Sequence, residues 1–234
     1  NNVGLRFALQ CADMQYIWLL NNDTVVEPDC LSHMVNYSSQ QQNEQQQPNT
    51  CGSSLMSYDN PDTVQLLGGC QYNKWTGLAS TSLGRGLSIN DDIDHKSYEK
   101  LLSYISGASW LLPKNFIIDV GLMDESYFLY WEEIDWCIRN NNKYKLCYSP
   151  EARVYYKGDD RICSADDERS SSLFSDFYRF RNKLRFTRKY FPEAVLSAYF
   201  VSFLQACNRA KRGQWDKALL ILKVIFGKQV FIKE

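Results

Sequence analysis

The sequence predicts an α/β fold in which strands and helices alternate, closed by a basic amphipathic helical segment. Three observations point to it. Met14 to Leu20 (MQYIWLL) is a short apolar run, read as a buried strand. Thr24 to Val26 is followed at once by Glu27-Pro28-Asp29, a helix start with proline near its first position. After Phe174 the chain reads as three helices, Phe174 to Tyr190, Phe191 to Ala210 and Trp215 to Phe226.

At 234 residues the chain can bury one sizeable core. Its aromatic content, 14%, is high, and packing is the commoner use of such rings, with sugar or base stacking the other. The net charge of −1 hides an asymmetry. Phe177 to Glu234 holds thirteen Lys/Arg against three Asp/Glu, whereas the preceding residues hold thirteen against twenty-four. Such a split points to an anionic surface met by one part of the chain. The eight cysteines are scattered, no CxxC spacing occurs, and His33 and His95 are the two histidines. This argues against a zinc site or a Ser-His-Asp triad and reads as mostly buried, reduced thiols in a cytosolic protein. No signal peptide is recognised, and the longest apolar runs, Ala194 to Leu204 and Ala218 to Leu222, are too short to span a bilayer.

In chain order, Asn1 to Ala12 reads as a helix. The first strand ends in Asn21-Asn22-Asp23, which places Asp23 just past its carboxyl end, where ligands bind in open α/β sheets. A carboxylate there holds Mg²⁺ or Mn²⁺ on a diphosphate, or simply closes a turn. Ser38 to Asn49 is a polar, glutamine-rich tract unable to pack a core, read as a helix extension or a mobile loop. Cys51 to Tyr58 and Thr63 to Asn73 read as strands, and Asn73 to Gly77 as a hairpin or loop whose Trp75 either packs or stacks on substrate. Gly84 to Lys96 is a loop with Arg85 as a phosphate contact or a solvated side chain. Tyr104 to Leu112 reads as a strand carrying Ser106-Gly107-Ala108, small residues that admit a ligand or a neighbouring backbone. Pro113-Lys114 opens a helix that Gly121 ends. Leu146 to Ser149 and Ala152 to Lys157 read as two short strands, and Gly158 to Ser172 as a polar loop at the site mouth.

The chemistry concentrates between Tyr104 and Arg139. Trp131 to Asn140 reads as one helix behind the aromatic cluster Tyr127, Phe128, Tyr130 and Trp131. Ile134, Cys137 and Ile138 share one face; Glu132, Asp135 and Arg139 share the other, with Asp135 and Arg139 at ion-pair spacing. Glu133 falls on the border. Partial desolvation there and the first helical turn act on it in opposite directions, giving either a general base near neutral pH or a solvated acidic helix start.

This stretch resembles the family 2 glycosyltransferases of the GT-A fold, in particular rhamnosyltransferase-like members of bacterial polysaccharide biosynthesis. The resemblance rests on Ser106-Gly107-Ala108, Val120-Gly121-Leu122-Met123-Asp124-Glu125, Phe128 through Asp135, and Arg139, a long run without gaps. YIWLLNNDT, ending at Thr24, looks like the family's DXD-type element, and Asn1-Asn2-Val3-Gly4 like its N-x-G segment. Tyr178, Arg181-Asn182, Arg188-Lys189 and Pro192 resemble a C-terminal segment of the same proteins.

The resemblance implies a Rossmann-like mixed sheet flanked by helices over residues 1–172 and a helical region over 173–234. It implies inverting transfer from a nucleotide-diphosphate sugar, dTDP-rhamnose or a UDP-sugar, to a saccharide or polyprenyl-linked acceptor. Glu133 stands at the catalytic base, where the family carries Asp. Asp23 matches the metal-binding aspartate for a Mg²⁺ or Mn²⁺ cofactor. Asn21, Asn22, Arg85, Ser106, Gly107 and Ala108 fall on donor-binding positions, and Trp131, Glu132 and Asp135 on acceptor or orienting ones; Asp124 and Arg139 are structural. The family's first strand–helix–strand unit, which binds much of the base, is missing ahead of Asn1. Tyr156 stands where a metal-ligating histidine is expected, and Lys157 offers a point charge for the diphosphate. The basic C-terminal helices suit an anionic membrane surface from the cytoplasmic side, as polyprenyl-linked acceptors do, or a helical hairpin packed on the domain or on a second subunit. No nucleic-acid module is recognised. The alternatives are a non-catalytic glycosyltransferase-like subunit and a membrane-surface scaffold.

Overall fold

The structure is a computed structural model that describes residues 1–157 and 172–228, with the side chains of 79–81 outside the description. The expected loop over 158–172 lies outside the described residues except for Ser172, whose side chain caps the next helix by accepting from Ser175 N.

The first unit comprises Asn1–Gln71, Ser80–Asp124 and the chain from Glu133 through its last strand. Its elements are α1 (Asn2–Ala8), β1 (Tyr16–Leu20), β2 (Thr24–Val26), α2 (Cys30–Gln45), β3 (Asn49–Ser57), β4 (Val64–Leu67), β5 (Gly69–Asn73), β6 (Leu78–Ser82), α3 (His95–Lys100), β7 (Tyr104–Ile105), β8 (Ser109–Pro113), α4 (Lys114–Val120), α5 (Glu132–Asn140) and β9 (Lys145–Tyr156). The main sheet runs β1-β8-β3-β9-β2, with β4 paired to β3. β3 and β9 are parallel and every other pair is antiparallel, so the fold is α/β with a mixed sheet. β3 is buried at all nine positions, as a central strand covered on both faces must be. β6, β5 and β7 form a separate small sheet in that order.

Under the main sheet, Trp110, Phe116, Trp136 and Tyr144 meet edge to face. A second cluster gathers Met56, Val64, Leu67, Leu83 and Tyr148.

Several local readings change. β1 is a half-buried edge strand antiparallel to β8, because it has a sheet neighbour on one side only. The tract Ser38 to Asn49 extends a helix, as one of its two readings has it, α2 running to Gln45; but it does pack, since buried Ser38 and Asn49 bond each other through Ser38 Oγ to Asn49 Oδ1 (2.6 Å) and Asn49 Nδ2 to Ser38 O (2.8 Å). The strand read over Thr63 to Asn73 breaks at Gly68, whose φ of +71° is left-handed backbone and whose N–H turns to Ser53 O. The strand read over Tyr104 to Leu112 also divides, into β7 and β8 of different sheets, with Ser106-Gly107-Ala108 as the turn between them. The two strands read around Pro150 are one, β9, whose pairing with β3 jumps from Ser53↔Ser149 to Ser54↔Arg153. Proline has no N–H to give the ladder, so the bulge forms there, and Ser54 Oγ donates to Pro150 O. Among the described residues six cysteines are free thiols and four of these are buried, in keeping with the mostly reduced reading, but Cys70 is disulfide-bonded, an exception to it.

The second unit comprises Tyr72–Ala79, Glu125–Glu132 and the helices α6 (Leu173–Tyr190), α7 (Val195–Lys211) and α8 (Trp215–Ile225). The helical region thus recruits two short segments from earlier in the chain. Phe180, Ala206 and Ile221 form its core, bordered by Leu222, Val224 and Ile225. Two cations are buried here. Arg209 pairs with buried Asp176 at 3.3 Å and donates to Gln214 Oε1. Lys183 is 2% exposed and its Nζ donates to Gln205 Oε1 at 3.2 Å. Among the described residues no helix is long and apolar enough to cross a membrane.

Burial brings the Lys183 ammonium down from 10.5 to about 7. The unfolded chain therefore holds this proton more tightly than the folded one between those values. The penalty is complete below pH 7 and fades as pH rises toward 10.5. Lys183→Met is expected to exceed the native protein in stability at pH 7, with the gap narrowing toward pH 10; urea midpoints at the two pH values measure it.

Candidate functional site

Three segments far apart in sequence meet at one end of the main sheet. β1 and β2 are joined by Asn21-Asn22-Asp23. Asn21 N donates to Ala108 O (3.1 Å), which ties this turn to Ser106-Gly107-Ala108. Lys157 N, at the end of β9, donates to Asp23 O (2.9 Å), and Thr24 Oγ1 donates to Asn21 O (2.6 Å). The Asn-Asn-Asp turn is therefore held on both sides by backbone and leaves its side chains to other uses. Asn21 and Asn22 are exposed. Asp23 Oδ1 is buried and has no hydrogen-bond partner among the described residues.

The Ser-Gly-Ala turn is fixed by its own bonds: Ser106 N donates to Gly68 O, Ala108 N to Ser106 Oγ and Ser109 N to Ser106 O. Gly107 N then donates to Glu133 Oε1 at 2.6 Å. A Cβ at position 107 would displace that carboxylate oxygen, so the glycine allows Glu133 its close approach. Asn21, Ser106 to Ala108 and Glu133 are thus brought into one hydrogen-bonded chain, with Asp23 in the same turn as Asn21.

α5 holds Glu133 because its other polar groups grip the turn after α4. Asp135 is fully buried and its Oδ2 accepts from Arg139 Nε at 2.7 Å. The same guanidinium donates to Val120 O (2.7 Å) and Leu122 O (2.8 Å), and Trp136 Nε1 to Gly121 O (2.7 Å). Asn2 pairs with the Met123 backbone through both its amide atoms. Asp135 therefore orients the helix, as does Arg139, and the N-x-G resemblance at Asn2 has a structural use. Arg85 stands apart: it is exposed on a turn between Gly84 and Gly86, and among the described residues no hydrogen bond or ion pair joins its side chain to the rest of the group. Among the described residues no three His, Cys, Asp or Glu side chains gather as a metal site.

The residues just before Glu133 belong to the helical unit. Phe128, Tyr130 and Trp131 all have positive φ (59°, 62° and 79°), a conformation that bulky side chains adopt only under constraint. Buried Asn182 supplies the constraint: its Nδ2 donates to Tyr127 O (2.7 Å), Leu129 O (2.8 Å) and Tyr130 O (3.2 Å). Trp131 is buried against Tyr72 and Phe186, and its indole N–H donates to Arg179 O. The rings left outside are Phe128, 70% exposed, and Tyr130. Glu132 is largely buried, its Oε2 has no hydrogen-bond partner among the described residues, and desolvation raises its carboxyl above the ordinary range. Sequence reasoning recorded Asn182 as part of an Arg-Asn motif without finding this role. A buried polar residue inside an aromatic, basic helix was the available signal.

The chain was compared with protein-family models and with curated proteins, and neither comparison finds a match.

Asn182→Ala removes the amide shared by the Tyr127, Leu129 and Tyr130 carbonyls, of which Tyr127 O keeps Leu129 N, and releases the left-handed segment. It is expected to cost about 2–3 kcal/mol, read as a lower urea midpoint.

Proposed function

We propose that this chain is a glycosyltransferase of the hexosyl-transferring, inverting type on a GT-A-like sheet, with a nucleotide-diphosphate sugar as donor and a saccharide or polyprenyl-linked acceptor. The observation that carries the reading is the meeting of the Asn21–Asp23 turn, the Ser106–Ala108 turn and Glu133 at one end of the sheet. That end is where α/β sheets bind ligands. The run of residues resembling family 2 members falls on these same three segments.

In this reaction the acceptor hydroxyl attacks the anomeric carbon, the bond from that carbon to the diphosphate oxygen breaks, and its electron pair leaves with the diphosphate. Glu133 takes the hydroxyl proton. The Gly107 N–H on Oε1 fixes the carboxylate, so the base does not have to be ordered when substrate arrives. Asn21 and Asn22 offer exposed amides to the donor. Ser106 to Ala108 allow close approach of its sugar, and Lys157, whose Nζ lies over the Tyr58 ring, offers positive charge. The unpartnered, buried Oδ1 of Asp23 fits a Mg²⁺ or Mn²⁺ ligand. One carboxylate suffices where substrate phosphates and water complete the shell. The cation supplies charge neutralisation of the leaving diphosphate.

Calorimetric titration of dTDP and UDP, with and without Mn²⁺, tests the donor site. Cation-dependent binding that Asp23→Asn removes is expected, and the preferred base narrows the sugar. Absence of binding to either nucleotide sinks the reading and favours a non-catalytic glycosyltransferase-like subunit. Glu133→Gln keeps an acceptor for Gly107 N–H but cannot take a proton. Transfer should fall about 10²–10⁴-fold in kcat with nucleotide binding unchanged. Loss of nucleotide binding in that variant would show that Glu133 is not the base.

A further inference from the structure

α7 is packed with its small residues inside and its large ones outside. Ala198, Ser202 and Ala206 are buried, while Leu196 is 84% exposed, Phe200 60%, and Phe203 and Leu204 nearly half. These four recur at i, i+4, i+7 and i+8, one continuous stripe on the face opposite the buried one. α8 buries Ala218, Leu220 and Ile221, and it exposes Trp215 and Leu219 at i and i+4, with Phe226 exposed just past its end. Two adjacent helices of one unit therefore present phenylalanine, tryptophan and leucine to solvent, where single exposed apolar residues are the norm.

The charge around these stripes has one sign. Between Val195 and Lys228 the single acidic residue is Asp216. Arg209 is consumed inside by Asp176, but Lys211, Lys223 and Lys228 are exposed. Two copies of this face brought together would oppose like charges, whereas an anionic surface complements them. Neither helix is long enough to cross a membrane, so an apolar stripe with flanking lysines describes a helix that lies in the interface. Exposed Trp and Phe are the side chains that favour that depth.

We propose that the outer faces of α7 and α8 form a docking surface for a bilayer rich in anionic lipid, the apolar stripes entering the headgroup boundary and the lysines meeting the lipid charge. The inference rests on the helical unit alone and does not depend on the proposed transfer reaction.

Flotation of the full chain with phosphatidylcholine vesicles, with and without phosphatidylglycerol, tests it. The chain is expected to float with the phosphatidylglycerol vesicles and poorly with phosphatidylcholine alone. Raising salt to about 1 M, where the screening length is about 3 Å, should weaken the binding. Phe200→Ser with Phe203→Ser changes exposed positions, so the fold should persist by circular dichroism; binding is expected to fall about tenfold or more. Lys211→Glu with Lys223→Glu should lower it similarly and abolish the preference for phosphatidylglycerol. Failure of the native chain to bind phosphatidylglycerol vesicles overturns the proposal, as does undiminished binding by folded forms of both double variants. A dimer in light scattering that Phe200→Ser with Phe203→Ser dissolves, with no vesicle binding, overturns it in favour of a second copy on this face.

Discussion

The hydrogen bond from Gly107 N to Glu133 Oε1 is the constraint on which the candidate site depends. It joins a side chain of α5 to a turn that is itself bonded to the Asn21–Asp23 turn, so helix, turn and strand end are fixed together. The bare backbone at position 107 admits the bond in this geometry, and α5 is held at its other groups by Asp135, Arg139 and Trp136. An acid placed by a buried ion pair and three backbone carbonyls is positioned before any ligand arrives. Such preorganisation is what a base needs if its orientation is not to cost rate. The parallel pairing of β3 with β9 supplies the rigid sheet on which these turns sit. It ends at Ser57↔Tyr156, one residue before Lys157 donates to Asp23 O.

Much of this order was legible in the sequence. Apolar periodicity located β1, β3 and the C-terminal helices, Pro113 and Gly121 bracketed α4, and the Trp131–Asn140 helix was placed within a residue. What was not legible has common causes. Sheet edges are set by which strands pair, so β1 read as buried and is half-buried. The turns at Gly68-Gly69 and Ser106-Gly107 carry breaker dipeptides, but the apolar runs on either side mask them in the sequence. The glutamine-rich tract does extend a helix, but that it also packs was not legible, because Ser38 and Asn49 satisfy each other when buried, a tertiary effect that composition cannot carry. In the site, spacing put Asp135 and Arg139 together, but their use on the Val120–Leu122 carbonyls depends on a fold contact. The left-handed backbone at Phe128, Tyr130 and Trp131 has no glycine to announce it. It is imposed by Asn182, some fifty residues on in the chain.

The charge asymmetry likewise meant something narrower than the count. Of the cations after Phe177, Arg209 and Lys183 are interior. Arg179, Arg181, Arg185, Arg188 and Lys189 lie over the rings of Tyr130, Tyr178, Tyr127, Tyr199 and Tyr190. In α6 the interleaving of aromatics with cations is therefore largely an internal arrangement, in which ring faces take up guanidinium and ammonium groups that would otherwise repel. Exposed positive charge lies further along, at Lys211, Lys223 and Lys228, beside the apolar stripes of α7 and α8. In α7 the inward positions go to Ala198, Ser202 and Ala206, so the larger Leu196, Phe200, Phe203 and Leu204 lie outside. The same choice of residues that packs the hairpin thus also exposes its apolar stripes.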